Sequence, residues 1–341
     1  MPQDTSAGES RAKLLRAREG LMLCQSIYAA AQLNLADHVS AGVCAIPELA
    51  EKTGTNAAAL QRLLRLLASE QIFRETAPGE FRHTDASELL CSDAAGSLRP
   101  LFLFIGSDFF YPCFGQIGYS VETGVPSRTK LSGTDSFTYL SEHPGLARVF
   151  DDAMTAMVEA LGPAISRAYD FGQWGRLMDV GGGNGILLAH ILRAYPTLQG
   201  VLADQEHVLM RAREKGFLAG DLQSRADMAA CDFFREIPRG GRAYLMCRVI
   251  HDWNDEQAKV ILDNCRRVIP PDGALLLVEN ALGDINEPSP GRYADIAMLV
   301  LTGGRERTVD EYRALIAASG FRLQRAVPAG QNHLILEAFP A

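Results

Sequence analysis

Four groups of residues have the types and spacing to do chemistry together. The first is LMDVGGGNGI, Leu177 to Ile186, an apolar run that ends in Asp179 and is followed by Gly181, Gly182, Gly183 and Gly185. Glycines between a strand end and a helix start let a ligand approach bare backbone N–H groups. The spacing is G-x-G-x-G, and Ile186 sits where the dinucleotide fingerprint G-x-G-x-x-G has its last glycine. Asp179 beside the loop would repel a pyrophosphate but suits a cofactor carrying an ammonium group. S-adenosylmethionine therefore fits better than NAD, and no G-K-[ST] follows to make a P-loop. The second group is Asp204 in VLADQ, placed to accept hydrogen bonds from ribose hydroxyls. The third is Asp232-Phe233 in CDFF, a carboxylate for an adenine amino group and a ring to cover its face. The fourth is His251, after YLMCRVI, with Glu279 in ALLLVEN. A histidine whose ring is oriented by an acid suits general-base chemistry. There is no Ser or Cys nucleophile signature. No Asp/Glu/His cluster has metal-ligand spacing, so no metal is expected.

These residues form one site only if a sheet brings them to one edge. The runs LMDV, GVLAD, YLMCRVI and ALLLVEN alternate with helical patterns from about residue 166, which predicts a parallel α/β sheet. Ligands of such sheets bind beyond the carboxyl ends of the strands, where all four groups fall. After His251, Asn254 with Gln257 three residues on reads as a capping box. Ala258, Ile261, Leu262, Cys265, Val268 and Ile269 then make one apolar helix face. FRLQRAV, a turn at PAGQN and HLILEAF predict an antiparallel hairpin on the sheet edge.

Residues 1–100 read as helical with one small hairpin. Ile46 to Gly54 is a short helix and turn, and Asn56 caps a helix carrying Leu60, Leu63, Leu64 and Leu67. Ile72–Glu75 and Glu80–Thr84 flank the turn TAPG. Helix, turn, helix and hairpin make a winged-helix pattern. A DNA reader wants a basic face, and this one offers Arg62 and Arg65 alone. Residues 101–165 read as a helical connector rich in aromatics. Phe109, Phe110, Tyr111, Phe114, Phe137, Tyr139 and Phe150 read mostly as core, in a segment also able to roof an aromatic pocket.

The 341 residues suggest about two domains. A net charge of −8 argues against nucleic acid or an anionic membrane as the main partner. Seven scattered cysteines without C-x-x-C fit a reduced cytoplasmic protein and no zinc site. The start, MPQDTSAGESRAK, lacks an apolar signal core. The run LFLFIGSDFFYPCF is too short to span a bilayer.

Taken in order and spacing, LMDVGGGNG, LADQEHV, CDFF, HDWNDEQ, LLLVEN and GGRERT resemble the caffeate- and flavonoid-type O-methyltransferases of plants, and especially their bacterial relatives in antibiotic and pigment pathways. YAAAQLNLADHV…IPELAEKTGTNAAALQRLLRLLAS is similar to that family's winged-helix dimerisation domain. The resemblance covers nearly the whole chain. It implies a class I Rossmann-like methyltransferase sheet, residues 101–341, behind a mainly helical dimerisation domain, residues 1–100. The enzyme would be a metal-independent homodimer that moves a methyl group from S-adenosylmethionine to a hydroxylated aromatic small molecule. By motif position Gly181 and Gly183 would contact the methionine part of the cofactor. Asp204 and Gln205 would lie at the ribose, and Asp232 and Phe233 at the adenine. His251 would be the base, bracketed by Glu279 and Glu306. Phe150, Met154 and Met298 would line the methyl-transfer site. Plant members usually carry Lys four residues before the histidine. Here Cys247 stands there and Arg248 follows, so these cofactor-side positions depart from the plant pattern. Leu301 and Thr302 depart as well, so plant phenylpropanoid substrates do not carry over. Two rivals remain: a relative drifted to N-methylation, decarboxylation or hydroxylation, and a winged-helix regulator whose α/β domain binds a small effector. His251 with Glu279 speaks against the regulator.

Overall fold

The computed structural model describes residues 5–330 and 332–341. The chain forms two compact units. One runs to Tyr111 and takes in Asp152–Ala156; the other is Pro112–Asp151 with Met157–Ala341.

In the first unit, the helix Ala57–Ser69 starts where the Asn56 side chain accepts a hydrogen bond from Ala59 N at 3.0 Å. Leu60, Leu64 and Leu67 recur at i, i+4 and i+7 and are buried against Leu35, Leu49, Phe73 and Phe81. The strands β1 (Phe73–Ala77) and β2 (Glu80–His83) close an antiparallel hairpin on the expected turn. Arg65 ion-pairs with Glu75 at 3.4 Å, which further reduces the positive charge this helix offers DNA. The helix Thr5–Gln32 leaves Leu14, Leu21 and Met22 more than half exposed.

The second unit is built on seven strands: β3 (Arg176–Val180), β4 (Gln199–Asp204), β5 (Ala226–Ala230), β6 (Ala243–Cys247), β7 (Ala274–Asn280), β8 (Phe321–Pro328) and β9 (His333–Pro340). Their order is β5-β4-β3-β6-β7-β9-β8, with β3 to β7 parallel and β9 antiparallel to both β7 and β8. This is the Rossmann-like sheet the motifs imply. Successive strand residues serve opposite faces. Leu177, Leu245 and Leu276 pack with the helix Ile186–Ala194, while Met178, Tyr244, Met246 and Leu277 pack with the helix Asp255–Val268. Every residue of β7 is buried, as a central parallel strand covered on both faces requires.

Three expectations change. The run YLMCRVI is not all strand: β6 ends at Cys247, and Arg248 takes a left-handed φ of 56°. The chain then makes one 3₁₀ turn, Ile250–Asp252. The apolar residues Val249 and Ile250 are buried in that turn, which is why they read as strand. Strand β5, ADMAA, falls outside the expected runs, since it lacks β-branched residues and clear alternation. The aromatic stretch is less of a core than expected. Phe109 is buried, Tyr111 is exposed, and Phe110, Phe114, Phe137, Tyr139 and Phe150 are half-buried. The edge hairpin forms as expected, although Gln331 in its turn lies outside the described residues. Among the described residues no helix is long and apolar enough to cross a membrane.

Candidate active site

The glycine loop leaves β3 with Gly181, Gly183 and Gly185 at φ of 69°, 61° and 82°, a left-handed path that side chains disfavour. Asp204, at the end of β4, ties this loop down: its Oδ2 accepts from Gly183 N at 2.9 Å and its Oδ1 from Gln205 N at 2.7 Å. Burial pushes the Asp204 carboxyl up to about 6, and those two amides pull against the rise. Gln205 caps the helix Glu206–Lys215 without using its side chain, which leaves that amide for other partners. Asp232 is exposed and accepts from Phe234 N at 3.1 Å, and the Phe233 ring packs edge-on to Trp253 with centroids 6.0 Å apart. A β-carbon at position 181 would lie 3.5 Å from Phe233 and 2.9 Å from Val249, so loop, ring and turn are neighbours.

Asp179 lies beneath the loop with no exposure, and neither carboxyl oxygen has a hydrogen-bond partner among the described residues. A β-carbon at position 182 would stand 2.4 Å from Asp179 Oδ2, so glycine there permits the approach. Burial, followed by the nearby Asp204 charge, pushes the Asp179 carboxyl up to about 7. An orphaned buried acid beside open backbone amides fits a cofactor with a cationic group.

His251 is 2% exposed in the turn after β6. Its Nδ1 lies 2.8 Å from Glu306 Oε1, and its Nε2 lies 3.9 Å from Asp252 Oδ1. When the ring is neutral and Nδ1 donates to Glu306, Nε2 is the nitrogen with a free lone pair. Glu279, the other arm of the expected bracket, lies at the end of β7 near the ring but makes no hydrogen bond to it. Its Oε1 accepts from the backbone N–H groups of Val249 and Ile250, at 3.2 and 2.8 Å, and so holds the turn. The hydrogen bond that orients the ring comes from Glu306. One donor atom from each of His251, Glu279 and Glu306 falls within 4.8 Å of the others. Burial lowers the His251 pKa, but the carboxylates of Asp252 and Glu279 and the Glu306 hydrogen bond outweigh it, raising the ring to about 9. Burial pushes Glu279 up to about 7, against the pull of His251. Burial also pushes Glu306 upward, but its hydrogen bond to His251 wins and holds it below the ordinary value.

Glu306 is in turn positioned by its neighbours. Its N–H donates to Asp295 Oδ1 at 2.9 Å, and Asn280 Nδ2 lies 3.4 Å from Glu306 Oε1. Asp252, Asp295 and Arg307 have no role in the sequence reading. Their signal was present in HDW, DIAML and GGRERT, but spacing alone does not show which of these polar residues turn inward.

Cys247 and Arg248 sit at the end of β6, and burial raises the Cys247 thiol. The Arg248 charge favours the ionised forms of Asp252, Glu279 and Glu306, which places its influence on the carboxylate cluster. Phe150 and Met154 share one face of the helix Pro144–Ala168, four residues apart. Met298 is buried near the carboxyl end of the helix Pro290–Leu301. That end is anchored by Ser127 Oγ, donating to Val300 O at 3.2 Å, and by Ser136 Oγ, donating to Leu301 O at 2.5 Å.

Comparison with known proteins identifies the family. Residues 115–322 match the model of the O-methyltransferase domain, and residues 15–93 match that of the O-methyltransferase dimerisation domain. A phenazine O-methyltransferase of Lysobacter antibioticus is 40% identical, over 96% of this chain and 95% of its own. A phenazine-1-carboxylate N-methyltransferase of Pseudomonas aeruginosa is 33% identical, over 92% of each chain. The crystal structure of an O-methyltransferase from neocarzinostatin biosynthesis, solved with S-adenosyl-L-homocysteine and 1,4-dihydroxy-2-naphthoic acid, superposes with a TM-score of 0.83. It is 31% identical, with 96% of this chain and 98% of that one covered. With both of its domain models matched and relatives this similar along nearly the whole chain, the protein belongs to the O-methyltransferase family.

Proposed function

We propose that the protein methylates a hydroxyl group of an aromatic or heteroaromatic secondary metabolite, with His251 as general base and without a metal ion. The observation that carries this is the buried His251–Glu306 pair: the 2.8 Å contact at Nδ1 fixes the ring and leaves Nε2 to take a proton. The cofactor is S-adenosylmethionine, which supplies an electrophilic methyl group on a sulfonium. Gly181 and Gly183 present backbone to its methionine part, and Asp179 meets the ammonium. Asp204 and Gln205 hold the ribose, and Asp232 and Phe233 hold the adenine. Cys247 and Arg248 border the same side.

A free phenol has a pKa near 10. His251 lowers the barrier by accepting the hydroxyl proton as the oxygen attacks, and Glu306 stabilises the imidazolium that forms. Glu279 keeps the turn in place through two amides. Phe150 and Met298 supply apolar surface that orients an aromatic ring and excludes water. Residues 1–100 pair the subunits of the homodimer, and residues 101–341 form the methyl-transfer domain. The enzyme works in the cytoplasm, where its seven free cysteines stay reduced.

N-methylation is the second choice, because relatives of similar identity carry N-methyltransferase names. A ring nitrogen with a lone pair needs no base, so the retained buried His251–Glu306 pair favours a hydroxyl. Incubating the protein with methyl-labelled S-adenosylmethionine and a panel of phenols, hydroxyphenazines and hydroxypyrroles tests the choice. Label recovered as an aryl methyl ether is the expected result. Label found only on nitrogen, or transfer to none of the panel, contradicts it.

A further inference from the structure

Arg307 is 1% exposed and makes a dense set of contacts behind the histidine turn. Its Nη1 donates to Ile250 O at 3.3 Å and to Arg305 O at 3.1 Å, and its Nη2 donates to Trp253 O at 2.9 Å. Nε and Nη2 both reach Asp255 Oδ1, at 2.9 and 2.7 Å. Ile250 and Trp253 are the residues on either side of His251-Asp252. Trp253 N already donates to Ile250 O at 3.2 Å within the 3₁₀ turn, so Arg307 adds a second donor there and supplies one to Trp253 O, and a buried carbonyl left unpaired is costly. The planar guanidinium fork reaches both carbonyls and a carboxylate at once, which a lysine ammonium does not do.

The neighbouring backbone clamps the same turn. Arg305 N donates to His251 O at 2.8 Å. A β-carbon at position 304 would lie 2.0 Å from that oxygen, so only glycine lets the two segments meet. Consecutive residues therefore hold the base three ways: Arg305 by its backbone carbonyl, Glu306 by its ring, and Arg307 by the carbonyls that flank it.

We infer that Arg307 is a positioning residue for the methyl transfer. It acts through His251 by fixing the turn that aims Nε2, and so rests on His251 being the base. Its hydrogen bonds go to backbone carbonyls and to Asp255, not to the ring. Its removal leaves donor binding intact and lets the imidazole drift, where a displacement of about 1 Å lowers a rate by roughly 100-fold.

The test is a double-mutant cycle on the full-length enzyme with Arg307→Lys, His251→Ala and both together. Single-turnover transfer is measured with S-adenosylmethionine and the phenol or hydroxyphenazine that the unmodified enzyme turns over fastest. Donor Kd, acceptor KM and the thermal midpoint are measured alongside. Arg307→Lys is expected to lower the single-turnover rate by roughly 10- to 100-fold while Kd and KM stay within about twofold. In the His251→Ala background the same substitution is expected to cost less than about twofold, since interacting residues are not additive. Equal losses in both backgrounds, or a parallel loss of donor affinity, would make Arg307 a structural residue and overturn the inference while leaving His251 as the base. A His251→Ala enzyme of nearly full rate would overturn both. Should Arg307→Lys fail to fold, Asp255→Asn decides: Asp255 is 60% exposed in its side chain and is the carboxylate partner of Arg307. A severalfold rate loss that vanishes with His251→Ala supports the inference, and one that persists contradicts it.

Discussion

Glu306 Oε1 lies 2.8 Å from His251 Nδ1, and the two side chains are 0% and 3% exposed. The bond has a consequence for pH. Burial lowers the ring's pKa, but the Asp252 and Glu279 carboxylates, followed by this bond, outweigh it and raise the ring to about 9. The base is active when neutral, so a raised pKa moves the acid limb of the rate profile upward. Methyl transfer is expected to climb with pH to about 9, well beyond the 6.5 of an unperturbed histidine. Glu306→Gln removes a charge that favours imidazolium, so its limb should move to lower pH with a smaller plateau. A limb in kcat/KM at or below about 6.5 for the unmodified enzyme would contradict this.

Asp204 holds the glycine loop and, in the proposed site, reaches from it to the cofactor. Its carboxylate already accepts from Gly183 and Gln205 amides, and the remaining lone pairs are available to a ribose diol. Charge-assisted bonds of this kind contribute roughly 1.5–3 kcal/mol. Asp204→Ala is expected to weaken S-adenosylmethionine binding about tenfold or more by calorimetry. Unchanged donor affinity together with a new affinity for NAD would overturn the cofactor assignment.

Asp179 sets stability against binding. Its folded pKa, about 7, stands above the ordinary carboxylate value of 3.8. The stability linked to it is therefore complete below the unfolded value and lost as pH rises through the folded one. At pH 8 the unliganded protein carries an ionised, buried and unpaired acid. Asp179→Asn should raise stability there by on the order of 1–3 kcal/mol. The gain should shrink by pH 5, and donor affinity should fall. Denaturant titrations at the two pH values check it. A variant no more stable than the parent at pH 8 would show that the charge is compensated.

Much of this site was legible because its residues follow strands. LMDVGGGNG, VLAD and ALLLVEN are apolar runs with a polar stop, so strand and site announced themselves together. Asn56 caps its helix, and Thr308 with Glu311 forms a reciprocal capping box. Asn254 accepts from Gln257 N, which supplies the start signal at that helix. The turn around His251 was not legible. Val249 and Ile250 look like strand, and only the positive φ of Arg248 shows where the chain bends. The division of labour between the two glutamates was equally hidden, because it depends on which oxygen meets a backbone amide and which meets a ring. Strand β5 hid for another reason: ADMAA has no side-chain pattern of its own and is held by its pairing with β4.

The most direct measurement is single-turnover methyl transfer by His251→Ala, with donor affinity determined separately. In the proposed mechanism the ring supplies proton transfer, which contributes about 10²- to 10⁴-fold in rate. S-adenosylmethionine affinity should change little, because its contacts are assigned to Asp179, Asp204 and Asp232. Raising the pH should partly restore the variant as phenolate forms in solution. A large rate loss with intact donor binding and alkaline rescue is the predicted result. A variant that keeps most of its rate, or loses donor binding in step with rate, would contradict His251 as the base.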